Sequence, residues 1–156
     1  MRYTVDTNVP IVANGRGTNA SDRCRLSTIE FLERLLHRGR IYLDQEGEIQ
    51  KEYHIYLNPH GQPGVGDRFY LAILQSSLKK IERVSLVKDS NGDYFHFPSD
   101  DRLAGFDPSD KKFAALSRFK KIPVATATDS DWHIHKDALE ANGIIIEFLC
   151  GANPES

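Results

Sequence analysis

Short apolar runs alternate along this chain with longer segments in which apolar residues recur every three or four positions. Runs of the first kind predict strands, and periodic segments of the second kind predict helices. The predicted strands are 2–5, 40–43, 84–88, 94–97, 123–128 and 144–148. The predicted helices are approximately 8–13, 22–37, 48–57, 67–78, 108–119 and 131–141.

The alternation of strands with helices predicts the fold class. Such a pattern is typical of a mostly parallel sheet that is covered by helices on both faces. Segments 84–88 and 94–97 flank Asn91-Gly92, a pair that favours tight hairpin turns, so they predict a small hairpin insertion. We therefore predict a three-layer α/β/α fold with about five strands. A chain of 156 residues is expected to form one domain, residues 1–156.

Composition narrows the class of protein without identifying it. The chain is 40% hydrophobic and 27% charged, as expected for a soluble globular protein, and no apolar run is long enough to span a membrane. Asp6 and Asn8 interrupt any signal-peptide core. Cys24 and Cys150 are too few for a disulfide framework, so we expect free thiols in a reducing cytoplasm. The net charge of −2 does not indicate a nucleic-acid binder.

Acidic residues stand where predicted strands end and predicted helices begin. Asp6 closes the first strand, Asp129 follows the strand 123–128, and Glu52 and Asp110 belong to helical segments. Strand ends on one edge of a parallel sheet meet in one crevice, so Asp6 and Asp129 are expected to converge there. Two carboxylates about 4 Å apart repel by roughly 4 kcal/mol at an effective dielectric near 20. Such a cluster needs protons or a hard divalent cation, which favours Mg²⁺ or Mn²⁺.

Four short motifs at these acids resemble those of the PIN domain family of metal-dependent ribonucleases. They are Val5-Asp6-Thr7-Asn8, Glu52-Tyr53, Asp110-Lys111-Lys112-Phe113 and Asp129-Ser130-Asp131-Trp132. The likeness runs from about Arg2 to Phe148, nearly the whole chain. Ala127 stands where the family often has Thr, between Thr126 and Thr128.

The resemblance implies an endoribonuclease that uses Mg²⁺ or Mn²⁺ and leaves a 5′-phosphate and a 3′-hydroxyl. The implied roles are as follows: catalytic, Asp6, Glu52, Asp110 and Asp129; metal ligands, Asp6, Asp110, Asp129 and Asp131; supporting groups, Thr7, Asn8 and Thr128; and contacts to a substrate phosphate, Arg16 and Lys111. Toxin-like members of the family are often paired with an inhibitor, or antitoxin, and many self-associate. RNA, such an inhibitor and a second copy of the chain are therefore the expected partners.

Several positions admit simpler explanations from the sequence alone. Asp110 and Asp131 each fit an ordinary first-turn acid of a helix. Glu48 lies four residues before Glu52 on the same helical face, although the family pattern favours Glu52. His135 shares a face with Trp132, which indicates a satisfied, semi-buried side chain rather than a ligand. A non-catalytic module that binds RNA or protein is the alternative function.

Overall fold

The computed structural model describes residues 1–16, 19–76 and 79–151. Its strands are β1 (Arg2–Val5), β2 (Arg40–Asp44), β3 (Ile81–Val84), β4 (Pro123–Thr126) and β5 (Ile145–Phe148). Its helices are α1 (Asn8–Ala13), α2 (Asp22–Arg38), α3 (Glu48–Tyr56), α4 (Val65–Gln75), α5 (Lys111–Lys120), α6 (Ser130–Ile134) and α7 (Lys136–Ala141). Short 3₁₀ helices occupy Asp101–Leu103 and Pro108–Asp110.

The five strands form one parallel sheet in the order β3-β2-β1-β4-β5. Helices α1, α2 and α4 pack together, while α5 packs over β1, β2 and β4. The three-layer α/β/α fold predicted from the sequence is confirmed. The chain winds outward from β1 in both directions, so the strand order reverses between β1 and β4. Folds of this type place their ligands at that reversal, beyond the carboxyl ends of the strands.

Helix α2 shows how local signals set the bounds of an element. The Ser21 side chain accepts a hydrogen bond from the Cys24 amide at 3.0 Å and caps the helix, while Gly39 follows its last turn. Its buried positions are Cys24, Thr28, Phe31, Leu32 and Leu35. Leu26, which matches the apolar spacing, is 54% exposed, because the buried face is set by the helices packed against it.

A buried acid at the end of β2 accepts from the first amides of helix α3. Asp44 accepts hydrogen bonds from the amides of Glu48 and Ile49 at 2.8 and 2.9 Å. Tyr53 is fully buried, as the periodicity predicts. Tyr56, which the same periodicity places inward, is 54% exposed in the last turn of the helix.

The region after α4 differs most from the sequence prediction. The strand lies at Ile81–Val84 rather than 84–88, and it pairs in parallel with β2 from Ile41 to Asp44. The hairpin around Asn91-Gly92 consists of a turn with a single antiparallel bridge between Lys88 and Tyr94. Pairing with β2 sets the position of β3, and the local apolar run does not reveal that partner. The predicted helix end at 78 lies outside the described residues.

Two predicted helices are divided in the structure. The segment 108–119 starts as a 3₁₀ turn before α5, and 131–141 breaks at His135 into α6 and α7. His135 adopts non-helical dihedral angles, and its ring nitrogen Nδ1 lies 3.0 Å from the Asp131 carbonyl oxygen. His135 is therefore the satisfied, semi-buried side chain that the sequence predicts.

The prediction of two free thiols is wrong, because Cys24 and Cys150 form a disulfide. Cys24 lies in the first turn of α2, and Cys150 follows β5 at the edge of the sheet, 126 residues later. The count of two cysteines gave no sign that the fold brings the ends of these elements together. The cytoplasmic assignment that rested on free thiols loses that support.

None of the helices in the described part of the chain is long and apolar enough to cross a membrane.

Candidate metal centre

Three carboxylates meet beyond the carboxyl ends of β1 and β4. Asp6, Asp110 and Asp129 each place one oxygen so that the three oxygens lie within 4.8 Å of one another. Asp6 follows β1, Asp110 ends the 3₁₀ turn before α5, and Asp129 precedes α6. Asp6 and Asp110 are 2% and 4% exposed, and Asp129 is half-buried. The cluster therefore opens to the surface on the side of Asp129.

Asp6 is held by hydrogen bonds from two buried side chains. Its Oδ2 accepts from the Thr126 hydroxyl at 3.0 Å and from Trp132 Nε1 at 3.1 Å. Its own amide donates to the Ala125 carbonyl at 3.0 Å, which continues the pairing of β1 with β4. These contacts fix the carboxylate at the strand end and leave Oδ1 facing a single long contact from the Asn8 amide, at 3.4 Å.

Asp110 is presented by a turn that other acids stabilise. The Asp107 side chain accepts from the Ser109 amide at 2.9 Å, and the Asp107 amide donates to Asp131 Oδ2 at 2.7 Å. Asp110 Oδ2 is buried and has no hydrogen-bond partner among the described residues. When Asp110 and Asp129 are both ionised, a buried oxygen without a partner costs about 1–3 kcal/mol, which either a proton shared with Asp129 or a bound cation would remove.

Asp129 caps α6, and the residue before it is bonded to the loop that follows β1. Asp129 Oδ1 accepts from the Asp131 amide at 3.0 Å. Next to it, the Asn8 side chain accepts from the Thr128 amide at 2.6 Å and donates to the Thr128 hydroxyl at 2.8 Å. Asn8 and Thr128 thus tie the loop after β1 to the loop after β4, and so hold Asp6 and Asp129 in register.

Glu52 lies beside the three acids and has partners for both oxygens. Oε2 accepts from the Thr7 hydroxyl, and Oε1 accepts from Lys112 Nζ at 3.0 Å. Lys112 is 7% exposed and also donates to the Ser109 carbonyl. The Tyr53 hydroxyl donates to the Val5 carbonyl, which anchors α3 against the end of β1.

Three residues that the sequence placed in or near the site are engaged elsewhere. Asp131 accepts from the Asp107 amide and lies 3.2 Å from His135 Nδ1, so it supports the turn before Asp110 instead of joining the three acids. Arg16 forms a 3.0 Å ion pair with the fully buried Asp67. The ammonium of Lys111 lies 5.1 Å from the centre of the Phe97 ring.

Sequence reasoning missed three side chains of the site: Thr126, Trp132 and Lys112. Thr126 supplies the hydroxyl contact to an acid that Ala127 cannot make. Trp132 was available as part of the last motif, but its indole N–H contact to Asp6 requires the fold. Lys112 is adjacent to Lys111, and only the packing of α5 on α3 shows which lysine is buried.

Burial and mutual repulsion raise the pKa values of two of the three acids. Burial raises the pKa of Asp6 above its ordinary value, and the negative charge of Asp129 adds to this effect. Burial, followed by the charges of Asp6 and Asp129, raises the pKa of Asp110 further. Without a cation, the cluster therefore retains protons at neutral pH.

Replacing Asp110 with Asn should stabilise the metal-free protein. Because the pKa of Asp110 is raised on folding, the folded wild type binds a proton that the unfolded chain releases above pH 4, so stability falls as pH rises. Each pH unit costs at most about 1.4 kcal/mol. We expect a gain on the order of 2 kcal/mol at pH 7 and almost none at pH 4, measured by urea unfolding with EDTA.

The exposed acid Asp137 provides the matched control. Asp137→Asn should change stability by less than about 0.5 kcal/mol at either pH. A loss of stability in Asp110→Asn at pH 7 would contradict the repulsion described above.

The residues present fit a hard divalent cation. Other buried acids are satisfied within the protein: Asp44 caps α3, and Asp67 accepts from Asn14, Arg16 and the amides of Asn58 and Gly64. The cluster differs, since three carboxylates converge and one buried oxygen has no partner. An all-oxygen donor set of this kind suits Mg²⁺ or Mn²⁺.

Comparisons with known proteins give little beyond this geometry. No family model matches the chain, and no curated protein sequence matches it. Among solved structures, the chain is similar to the crystal structure of VapBC2 from Rickettsia felis bound to a DNA fragment from their promoter. The identity is 13% and the TM-score is 0.45, over 95% of this chain and 98% of that chain. So distant a likeness carries no argument about this protein.

Proposed function

We propose that the protein is a metal-dependent endoribonuclease whose metal is held by Asp6, Asp110 and Asp129. The observation that supports this is the meeting of three carboxylates at the strand-order reversal, with the buried Oδ2 of Asp110 lacking a partner. The order of the four acidic motifs, which resembles that of PIN domain ribonucleases, supports RNA as the substrate.

A bound Mg²⁺ or Mn²⁺ would supply Lewis acidity to a phosphodiester and lower the pKa of a water molecule. The protein's own contribution is to hold the acids against their repulsion. Thr126 and Trp132 fix one oxygen of Asp6, and Asn8 and Thr128 join the two loops that carry Asp6 and Asp129. The half-buried Asp129 lies on the side open to substrate, whereas Asp6 and Asp110 are shielded from bulk water.

The remaining parts of the proposal come from the family resemblance. These are cleavage within the RNA chain, participation of Glu52 in the site, a role as a toxin or in RNA turnover, a protein inhibitor, and a homodimer. Arg16 and Lys111 have partners within the chain, so contacts of either with a substrate phosphate would require them to move.

The alternative is a module that binds RNA or protein without catalysis. A binding scaffold gains nothing from placing Asp6 and Asp110 together in a buried position, where both pKa values are raised. The cost of that arrangement is explained if a cation occupies the cluster, so the catalytic proposal is preferred.

Thermal unfolding with and without Mn²⁺ tests the proposal directly. A ligand that binds only the folded state at 100 times its dissociation constant stabilises by about 2.7 kcal/mol. For a chain of this size that corresponds to a rise in Tm of roughly 5–10 °C. We expect this rise for the wild type at pH 7.5, relative to the same protein in EDTA.

The control variant Asp137→Asn should show the same rise in Tm, and Asp129→Asn should lose most of it. A buffer without divalent cations, in which NaCl matches the ionic strength of the Mn²⁺ buffer, controls for the effect of salt on the Tm. A wild-type Tm that does not respond to Mn²⁺ would favour the non-catalytic module.

A further inference from the structure

Lys112 is a buried cation that the proposed function does not use. Its side chain is 9% exposed, and its ammonium lies 3.0 Å from Glu52 Oε1. It also donates to the Ser109 carbonyl in the turn that carries Asp110. A single side chain on α5 therefore contacts both the helix that carries Glu52 and the turn next to the acidic cluster.

The ion pair with Lys112 limits the contacts that the Glu52 carboxylate can make. Both of its oxygens are already engaged, one by Lys112 and the other by the Thr7 hydroxyl. The negative charge of Glu52 is cancelled by Lys112 at hydrogen-bonding distance, in a site where its side chain is only 19% exposed. Each Glu52 oxygen keeps a second lone pair, but a cation bound there would lie next to the Lys112 ammonium. Such binding would be opposed by repulsion between the two positive charges, or would cost the pair and leave Lys112 as an uncompensated buried cation.

The three carboxylates that meet do not include Glu52. Asp6, Asp110 and Asp129 together carry three negative charges when ionised, enough to neutralise one divalent cation with one charge left over. A second divalent cation would need further acidic oxygens. Among the acids next to the cluster, Glu52 is paired with Lys112, and Asp131 is held by Asp107 and His135. Asp107 in turn accepts from the Ser109 amide and hydroxyl.

We infer that Lys112 is a positioning residue that keeps Glu52 out of the metal's coordination and limits the site to one divalent cation. This inference rests on the proposed function, since it concerns the same metal. It assigns to Glu52 a supporting part, in which the Glu52–Lys112 pair links α3 to the turn before α5 and so fixes Asp110.

Counting bound Mn²⁺ tests the inference without any measurement of cleavage. The loss of the electron paramagnetic resonance signal of free Mn²⁺ gives the number of ions bound per chain, and isothermal titration calorimetry gives the affinity. We expect one ion for the wild type. We expect Glu52→Gln to bind one ion as well, because Glu52 is not a ligand. Its affinity should be lower than that of the wild type, because Lys112 is left without its partner.

Lys112→Met should increase the number of bound ions, because it frees the Glu52 carboxylate. A second Mn²⁺ ion should bind to this variant at millimolar Mn²⁺. The double variant Lys112→Met with Glu52→Gln removes both charges and should again bind one ion. Because it leaves no unpaired buried acid, it also serves if Lys112→Met alone fails to fold.

The outcomes separate the two proposals. Two ions in the wild type, no bound ion in Glu52→Gln, or two ions in the double variant would overturn this inference. Lys112→Met that folds and binds one ion would overturn the role of Lys112. Wild-type protein that binds no Mn²⁺ would overturn the proposed function, and this inference with it.

Discussion

Replacing Asp129 with Asn should reduce Mn²⁺-dependent cleavage of RNA by at least about 100-fold, because it removes one of the three charges that hold the cation. The substitution is conservative for the fold. The Asp129 side chain caps α6 by accepting from the Asp131 amide, and Asn caps helices equally well. The same loss is expected for Asp6→Asn, although Asp6 is buried and also accepts from Thr126 and Trp132.

Cleavage should be measured on a fluorescently labelled single-stranded RNA with Mn²⁺, with Mg²⁺ and with EDTA. Asp137→Asn should retain full activity, which controls for the change in net charge. Circular dichroism should show that Asp129→Asn is folded. Full activity in both Asp6→Asn and Asp129→Asn would place the reaction at another site or assign it to a contaminant.

Breaking the disulfide between Cys24 and Cys150 should cause the largest loss of stability that we expect. The bond closes a loop with a sequence separation of 126 residues, and the loss of chain entropy in the unfolded state increases with loop length. Removing a disulfide of this kind costs about 2–5 kcal/mol. Cys150→Ala should therefore lower the Tm by roughly 5–15 °C.

Reduction of the wild type provides the matched control for Cys150→Ala. Dithiothreitol should lower the wild-type Tm to that of the variant and should leave the variant unchanged. Titration of thiols in the unfolded, unreduced wild type should find none. Two free thiols per chain, or a Tm that does not respond to the reductant, would contradict the disulfide.

The fold class was accessible from the sequence because it depends on local patterns. The apolar run 2–5 and the helix 8–13 match β1 and α1, and the cap at Ser21 and the stop at Gly39 set the ends of α2. These signals act over a few residues. The placement of β3 depends on pairing with β2, about forty positions earlier, and the sequence placed that strand several residues too late.

The candidate site also contains some contacts that the sequence predicts and others that it does not. Asp6 and Asp129 were expected to converge because both follow parallel strands, and the structure brings them together with Asp110. The partner of Glu52 was not predictable, since Lys111 and Lys112 are adjacent and equally charged. Only the packing of α5 buries Lys112 and turns Lys111 towards Phe97.

The sequence by itself determined the alternation of strands and helices, and with it the edge of the sheet where Asp6 and Asp129 end their strands. It did so because hydrophobic periodicity and helix caps are local properties. The tertiary structure alone decided the contacts between distant segments, which are the Glu52–Lys112 pair, the engagement of Asp131 with Asp107, and the Cys24–Cys150 bond. Each depends on how two elements pack in space, and spacing along the chain carries no record of that packing.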